Sequence, residues 1–194
     1  MKKIKDHYFH KAKREGYVAR SAYKLEEIDK KHQLIRNGNL VLDLGCSPGS
    51  WLQYSSGKVG KIGLVKGIDI DEVKILLPAN VNFIRTDIFE INVKDLKFSG
   101  KMFDVILSDM SPKTTGIRSV DAHRSYALNQ HVLKIAEEIL KPGGNLLVKA
   151  FQGDNLKQLR TEFKKLFMEI KFFKPKSSRS ESVEIFLLGQ IKKC

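Results

Sequence analysis

Cysteine is scarce in this sequence: among 194 residues only Cys46 and Cys194 are present, and neither stands in a CxxC or Cys/His spacing. That pattern offers no zinc site, and a chain of this length can bury about two-thirds or more of its unfolded surface without a disulfide or metal staple. A reducing compartment follows. Long apolar runs are missing too: none approaches the roughly 18 to 20 residues of a membrane span, and the N-terminus has no apolar signal core. The expectation is a soluble, unsecreted, cytoplasmic protein, with a mitochondrion or other organelle as the alternative. Asp6 and Glu15 interrupt the basic start, which argues against a transit peptide. The histidines His7, His10, His32, His123 and His131 have no ligand spacing, so no metal is expected. Acidic residues are also in deficit, 22 against 35 Lys and Arg, for a formal charge of +13 and a pI near 9.7.

A surplus of that size attracts polyanions, and nucleic acid is the leading partner class. Clustering strengthens the case. Lys2, Lys3, Lys5, Lys11, Lys13, Arg14, Arg20 and Lys24 crowd the start, and Lys171, Lys174, Lys176 and Arg179 form a second group. If the two groups meet, they form one phosphate-contacting surface. Tyr8, Phe9, Tyr17 and Tyr23 interleave with the first group. Such residues can stack on bases, but packing is the first expectation for each, with Tyr23 half-buried.

Hydrophobic periodicity predicts an amphipathic helix over Ser21–Leu34, a buried strand over Leu40–Gly45, and a short helix starting near Gly49. Ser55, Ser56, Gly57, Gly60 and Gly63 read as a surface connection that ends this helix. The next three strands, GLVKGID, VNFIRTD and FDVILSD, finish on Asp69, Asp87 and Asp109. A strand-end aspartate taken alone is most simply a helix cap. Three on one edge of a parallel sheet can form a site, because ligands of open α/β sheets bind beyond the carboxyl ends of the strands.

A helix over Ser125–Leu140, closed by KPGG, precedes the strand NLLVKAF; a helix from Asn155 to about Phe167 then leads to MEIKFFKP and VEIFLLGQI. The loop between these last strands is too short for a crossover helix, so they should pair antiparallel. The predicted fold is α/β: a Rossmann-like, seven-stranded mixed sheet with the last strand antiparallel and helices on both faces. Residues 1–194 form one domain in this reading, with 1–36 a basic helical region packed on it.

DLGCSPGSW puts Gly45 and Gly49 in the first strand-to-helix turn, where backbone amides can approach a ligand. It is not the GxGxxG of a dinucleotide site, and no residues suggest a route for hydride transfer. Lys149 interrupts the apolar strand NLLVKAF near its carboxyl end, where a buried ammonium is costly unless partnered or used.

Seven collinear segments resemble the FtsJ family of S-adenosylmethionine-dependent RNA 2′-O-methyltransferases: KAKREGYVARSAYKL, VLDLGCSPGSWLQ, VKGIDI, NFIRTDI, DVILSDMSPKTTG, LKPGGNLLVKAFQG and KPKSSRSESVEIFLL. They span nearly the whole chain. The resemblance implies S-adenosyl-L-methionine as cofactor, with Gly45, Gly49 and Trp51 around its methionine part, Asp69 at the ribose, Asp87 at the adenine and Asp109 beside the methyl group. Ser47 and Ser50 depart from the alanine or glycine common there, but both are small enough for the turn. The family's Lys-Asp-Lys-Glu tetrad matches Lys24, Asp109, Lys149 and Glu184.

A ribose hydroxyl is a weak nucleophile until its proton is removed, so a positioned base is required. The resemblance makes Lys149 that base. Burial and Lys24 favour its neutral amine, whereas Asp109 and Glu184 favour its ammonium. A buried ion pair of Lys149 with Glu184 is the structural alternative. SDMSP and SRSESVEIF resemble the branch that modifies rRNA, which implies a uridine of large-subunit rRNA as substrate and tRNA as second choice. Arg20, Lys13, Arg14 and Arg179 are the expected RNA contacts, and a monomer is the expected state. A base N-methyltransferase would carry an N/D-P-P-F/Y segment where this chain has DMSP. A non-catalytic RNA-binding protein on the same fold would not need all four tetrad residues.

Overall fold

The computed structural model describes residues 7–98, 100–179 and 181–194. Lys2, Lys3 and Lys5 of the first basic group lie outside them. The elements run α1 His7–Arg14, α2 Ala22–His32, β1 Leu40–Leu44, α3 Ser50–Val59, β2 Leu64–Asp69, β3 Val81–Arg85, β4 Phe103–Ser108, α4 Arg118–Ile139, β5 Leu140–Phe151, α5 Asn155–Leu166, β6 Phe167–Phe173 and β7 Glu184–Lys192. The seven strands make one sheet in the order β3-β2-β1-β4-β5-β7-β6. β1 to β5 pair in parallel, while β7 runs antiparallel between β5 and β6. The expected mixed sheet with an antiparallel last strand is therefore present.

Alternation along the strands divides the core into two layers. Leu146, Val148 and Ala150 of β5 face α4 and α5, joining Val132, Ile135, Leu159 and Phe163. Leu147 faces the other way, joining Leu25, Ile28, Trp51 and Leu52 of α2 and α3. Lys149 and Phe151 follow Leu147 on that second face, and their partners across the ladder are Phe186 and Glu184. The sheet thus turns Lys149 and Glu184 toward α2, which carries Lys24.

Two helix boundaries differ from the sequence reading. α3 continues through Ser55, Ser56 and Gly57, because Ser55 is wholly buried and Ser56 Oγ donates to Asn80 Oδ1 at 2.6 Å. Tertiary packing outweighs local propensity here. α4 begins at Arg118 rather than Ser125. Its first turns bury Asp121, Ala122 and Ser125, which leave no apolar stripe to read. At the other end α4 has no basic residue in its last turn; Lys192 of β7 supplies the charge, donating to the carbonyls of Glu137 and Leu140.

Candidate active site

The first strand-to-helix turn sits at the carboxyl end of β1 with Gly45 at φ +77° and Gly49 at φ +114°. A Cβ on Gly45 would collide with Met110, and one on Gly49 would come within 3.0 Å of Ile75, so both positions require glycine. Asp69, the last residue of β2, braces this turn: its Oδ2 accepts from Ser47 N at 2.8 Å and its Oδ1 from Asp71 N at 2.9 Å. Asp87 lies two residues beyond β3 and accepts from Phe89 N at 2.9 Å. Asp109 follows the last residue of β4. All three are partly exposed along the edge from which the strands emerge.

The sequence reading missed Asp43. Its carboxylate is fully buried in β1, and neither oxygen has a hydrogen-bond partner among the described residues. Burial, then the charges of Asp109 and Asp69, push its carboxyl well above the ordinary carboxylate range. An acid inside the apolar run LVLDL was the available signal. Three carboxylates that repel one another across this edge suit a positively charged ligand.

Lys24, Glu184, Lys149 and Asp109 form a continuous chain. Lys24 Nζ donates to Glu184 Oε2 at 2.8 Å. Lys149 Nζ lies 3.9 Å from Glu184 Oε1 and 3.1 Å from Asp109 Oδ1, and donates to the Asp109 carbonyl at 2.6 Å. Both lysines are nearly buried, at 8% and 7% exposure. Burial raises the Glu184 carboxyl, but the hydrogen bond from Lys24, the two lysine charges and Ser182 outweigh it, and the net shift is downward. The pair Lys149–Glu184 is thus the longest link of a four-residue network and not an isolated ion pair.

α2 is fastened to the glycine turn by contacts that spacing alone did not reveal. Ser21 Oγ and Ser50 Oγ are 2.8 Å apart, and Trp51 Nε1 donates to the Ser21 carbonyl at 2.8 Å. Trp51 is 2% exposed and packs at 6.0 Å against Phe186; its side chain fills the core beneath the turn. Buried Asp29 accepts from Tyr54 Oη at 2.7 Å and from Ile35 N at 2.9 Å. Beyond Asp109, the loop to α4 is tied to Asp121, which accepts from Thr115 N, Thr115 Oγ1 and Gly116 N.

The two basic groups do meet. Arg20, Lys24 and Arg179 line one cavity, while Lys11, Lys30, Lys31 and Lys176 line another. Lys13 and Arg14 are exposed on α1. Lys171 is instead paired with Glu169 at 2.8 Å. Tyr23 is 1% exposed, not half-buried: it packs on Tyr8 and Tyr17 and donates to Glu15 at 2.9 Å. Phe9 is the most exposed of the four aromatics.

The FtsJ-like methyltransferase family model matches residues 17–192. The chain belongs to this family. It is 46% identical to "Ribosomal RNA large subunit methyltransferase E" of Desulfatibacillum aliphaticivorans, over 97% of this chain and 91% of that protein. The identity to the protein of the same name from Bdellovibrio bacteriovorus is also 46%, over 97% of each chain. Among solved structures, a ribosomal RNA methyltransferase from Plasmodium falciparum superposes with a TM-score of 0.80 at 30% identity, covering 91% of this chain and 98% of that one. Aeropyrum pernix fibrillarin with natively bound S-adenosyl-L-methionine shares the fold, with a TM-score of 0.61 at 15% identity over 87% of this chain and 73% of that one.

The cofactor of this methyltransferase family is S-adenosylmethionine, and the residues at the edge fit it. The orphaned carboxylate of Asp43 and the charges of Asp69 and Asp109 match a ligand that carries both an ammonium and a sulfonium.

Proposed function

We propose that this chain transfers a methyl group from S-adenosylmethionine to a ribose 2′-oxygen of RNA, and that the substrate is a uridine of large-subunit rRNA in the cytoplasm. The observation that carries the reading is the buried chain Lys24–Glu184–Lys149–Asp109 beside an acidic cofactor edge. The names of the relatives supply the substrate class.

When bound, the cofactor supplies an electrophilic methyl group on a positively charged sulfur. In this reading Asp69 holds the ribose hydroxyls and Asp87 the adenine, while Gly45 and Gly49 admit the methionine part. Trp51 supports that turn from below. Lys149 Nζ would accept the proton released by the 2′-hydroxyl as its oxygen takes the methyl group that the cofactor supplies. Asp109 holds the Lys149 amine through both its carbonyl and its carboxylate. Lys24 holds Glu184 at 2.8 Å and leaves Lys149 the longer, 3.9 Å contact with that carboxylate. Arg20 and Arg179 contact phosphates next to the site, and Lys13 and Arg14 extend the track.

The test is incubation with labelled cofactor and, separately, unmodified large ribosomal subunits, free rRNA and tRNA, followed by mapping of the label. Label on a ribose 2′-oxygen of large-subunit rRNA is expected. Label on a base would overturn the chemistry, label confined to tRNA the substrate, and no transfer to any RNA the enzymatic reading.

A further inference from the structure

Beyond the cavity of Arg20 and Arg179, an open groove of about 520 Å³ runs between α1, α2 and the loop that joins β6 to β7. Lys11, Lys30, Lys31 and Lys176 line it together with Glu26 and Glu27. Four ammonium groups against two carboxylates is a modest surplus, and surface lysines by themselves serve solubility. What sets this groove apart is how its walls are held and how its carboxylates are engaged.

One wall is α1, whose sole buried residue is Ala12. Its docking converges on the α2 side chain Tyr23. Tyr8 and Tyr17 pack on that ring at 5.6 and 5.8 Å, Lys11 Nζ lies 4.2 Å from its centroid, and the hydroxyl donates to Glu15 at 2.9 Å. The opposite wall is the loop after β6, which Glu27 pins to α2: Oε2 accepts from Lys176 N at 2.7 Å and Oε1 from Ser177 N at 3.0 Å. Lys174 Nζ donates to the Ser182 carbonyl at 3.1 Å, and Ser182 N to the Arg179 carbonyl at 3.1 Å, so the far end of the loop is tied as well. Tyr23 and Glu27 stand about one helical turn apart; α2 is the floor of the groove and fastens both walls.

The carboxylates are already engaged. Both oxygens of Glu27 face backbone amides, Glu26 Oε1 holds Lys30 at 2.6 Å, and Glu15 reaches Lys11 only at 3.9 Å. Lys31 is differently placed: its ammonium lies 5.1 Å from the Phe173 ring centroid and has no carboxylate partner among the described residues. Lys176 Nζ has no partner among them either. The fixed frame thus presents Lys31 and Lys176 as cations left without a counter-charge.

The same helix sets the distance to the tetrad. Lys24, Glu27 and Lys31 follow one stripe of α2, and the seven residues from Lys24 to Lys31 rise roughly 10 Å. At about 3.4 Å per stacked step, that is on the order of three nucleotides. On the pinned loop, Lys176 borders the groove and Arg179 the cavity beside the tetrad, which makes the two basic spaces neighbours across one short segment. We infer that the groove is a second RNA subsite, in which Lys31 and Lys176 neutralise phosphates of the strand flanking the methyl-accepting nucleotide. The inference rests on the ribose-methylation reading above and adds to it a stretch of RNA beyond the Arg20–Arg179 cavity. Contacts of this kind set affinity and register and carry no base preference.

The experiment compares two lengths of RNA. Wild-type protein and labelled cofactor first locate the methylated ribose on unmodified large subunits. Protein-free single-stranded RNAs are then made that carry this nucleotide with only its adjoining phosphates, or with about four further nucleotides on each side. Wild type is expected to bind the longer RNA at least about tenfold more tightly at about 100 mM salt. In the double variant Lys31→Ala, Lys176→Ala that gain should shrink to within about threefold, and the salt slope of log K on the longer RNA should fall by about 1.4, about 0.7 for each single-strand phosphate. Binding of the short RNA and of the cofactor should not change. Both positions are exposed, and the double variant Lys31→Arg, Lys176→Arg, which keeps both charges, should retain the gain. No gain from length in wild type, or an unaltered slope in the alanine variant, would overturn the subsite while the methylation reading survives. So would an equal loss on both RNAs, the mark of a general field effect, or a defect seen on ribosomal subunits and absent on free RNA, the mark of an acidic protein partner. No ribose methylation by wild type would overturn the reading above and the subsite with it.

Discussion

Lys24 and Glu184 lie 160 positions apart in sequence and meet at 2.8 Å between Nζ and Oε2. The contact closes the tetrad across the molecule, because it joins the first basic region to the last strand. It also divides the labour among the charges: Glu184 belongs chiefly to Lys24, and Asp109 to Lys149.

The Glu184 carboxyl lies below the ordinary range despite its burial, held there by Lys24, Lys149 and Ser182. A depressed carboxyl contributes stability that is present above its unfolded value, about 4.3, and is lost as pH falls through the folded value. Glu184→Gln should therefore flatten the acid side of the stability profile below about pH 4.3 relative to wild type, measured by thermal unfolding across pH. An unchanged acid limb would show that the ion pair has no energetic consequence.

Asp43 behaves in the opposite sense. Its raised carboxyl opposes folding increasingly as pH rises above its unfolded value, about 3.9. Asp43→Asn is expected to stabilise the cofactor-free protein at neutral pH by on the order of 1–3 kcal/mol, or roughly 2–4 °C in Tm per kcal/mol. The same change should weaken cofactor binding about tenfold or more, read by calorimetry. A lower Tm with unchanged affinity would assign Asp43 to the core alone.

Tyr54→Phe removes the hydroxyl that joins α3 to Asp29 of α2 at 2.7 Å. A loss of about 1–2 kcal/mol is expected in denaturant unfolding, because the buried carboxylate keeps Ile35 N and the Lys58 ammonium at 3.3 Å but loses this donor. A neutral result would place the fastening of α2 on Ser21, Ser50 and Trp51 instead.

Arg20→Ala and Arg179→Ala should each weaken RNA binding at every target sequence and lower the salt slope of log K by about 1 for each phosphate no longer neutralised. Cofactor affinity should not change. Binding measured between about 50 and 200 mM salt checks this; an unchanged slope would remove these arginines from the phosphate track.

Much of this site was legible because its chemistry interrupts its secondary structure. Lys149 in an apolar strand and aspartates at strand ends violate the patterns around them, and Asp69 and Asp109 do mark the emerging edge of the sheet. Asp43 carries the same signal in LVLDL but was absorbed into the glycine motif. Other features have no one-dimensional trace. The small polar residues that α3 and the start of α4 bury, Ser55, Asp121 and Ser125, look like loop chemistry until their partners are in place. The Lys24–Glu184 contact joins a helix near the start of the chain to its last strand, and only the fold brings them together.

The most direct test of the central claim is single-turnover methyl transfer by Lys149→Ala on unmodified large ribosomal subunits, with cofactor affinity measured in parallel. A general-base role for Lys149 predicts a fall of about 10²–10⁴ in the transfer rate with cofactor affinity unchanged. A folded, cofactor-binding variant that methylates the same ribose within a few-fold of wild type would contradict the account.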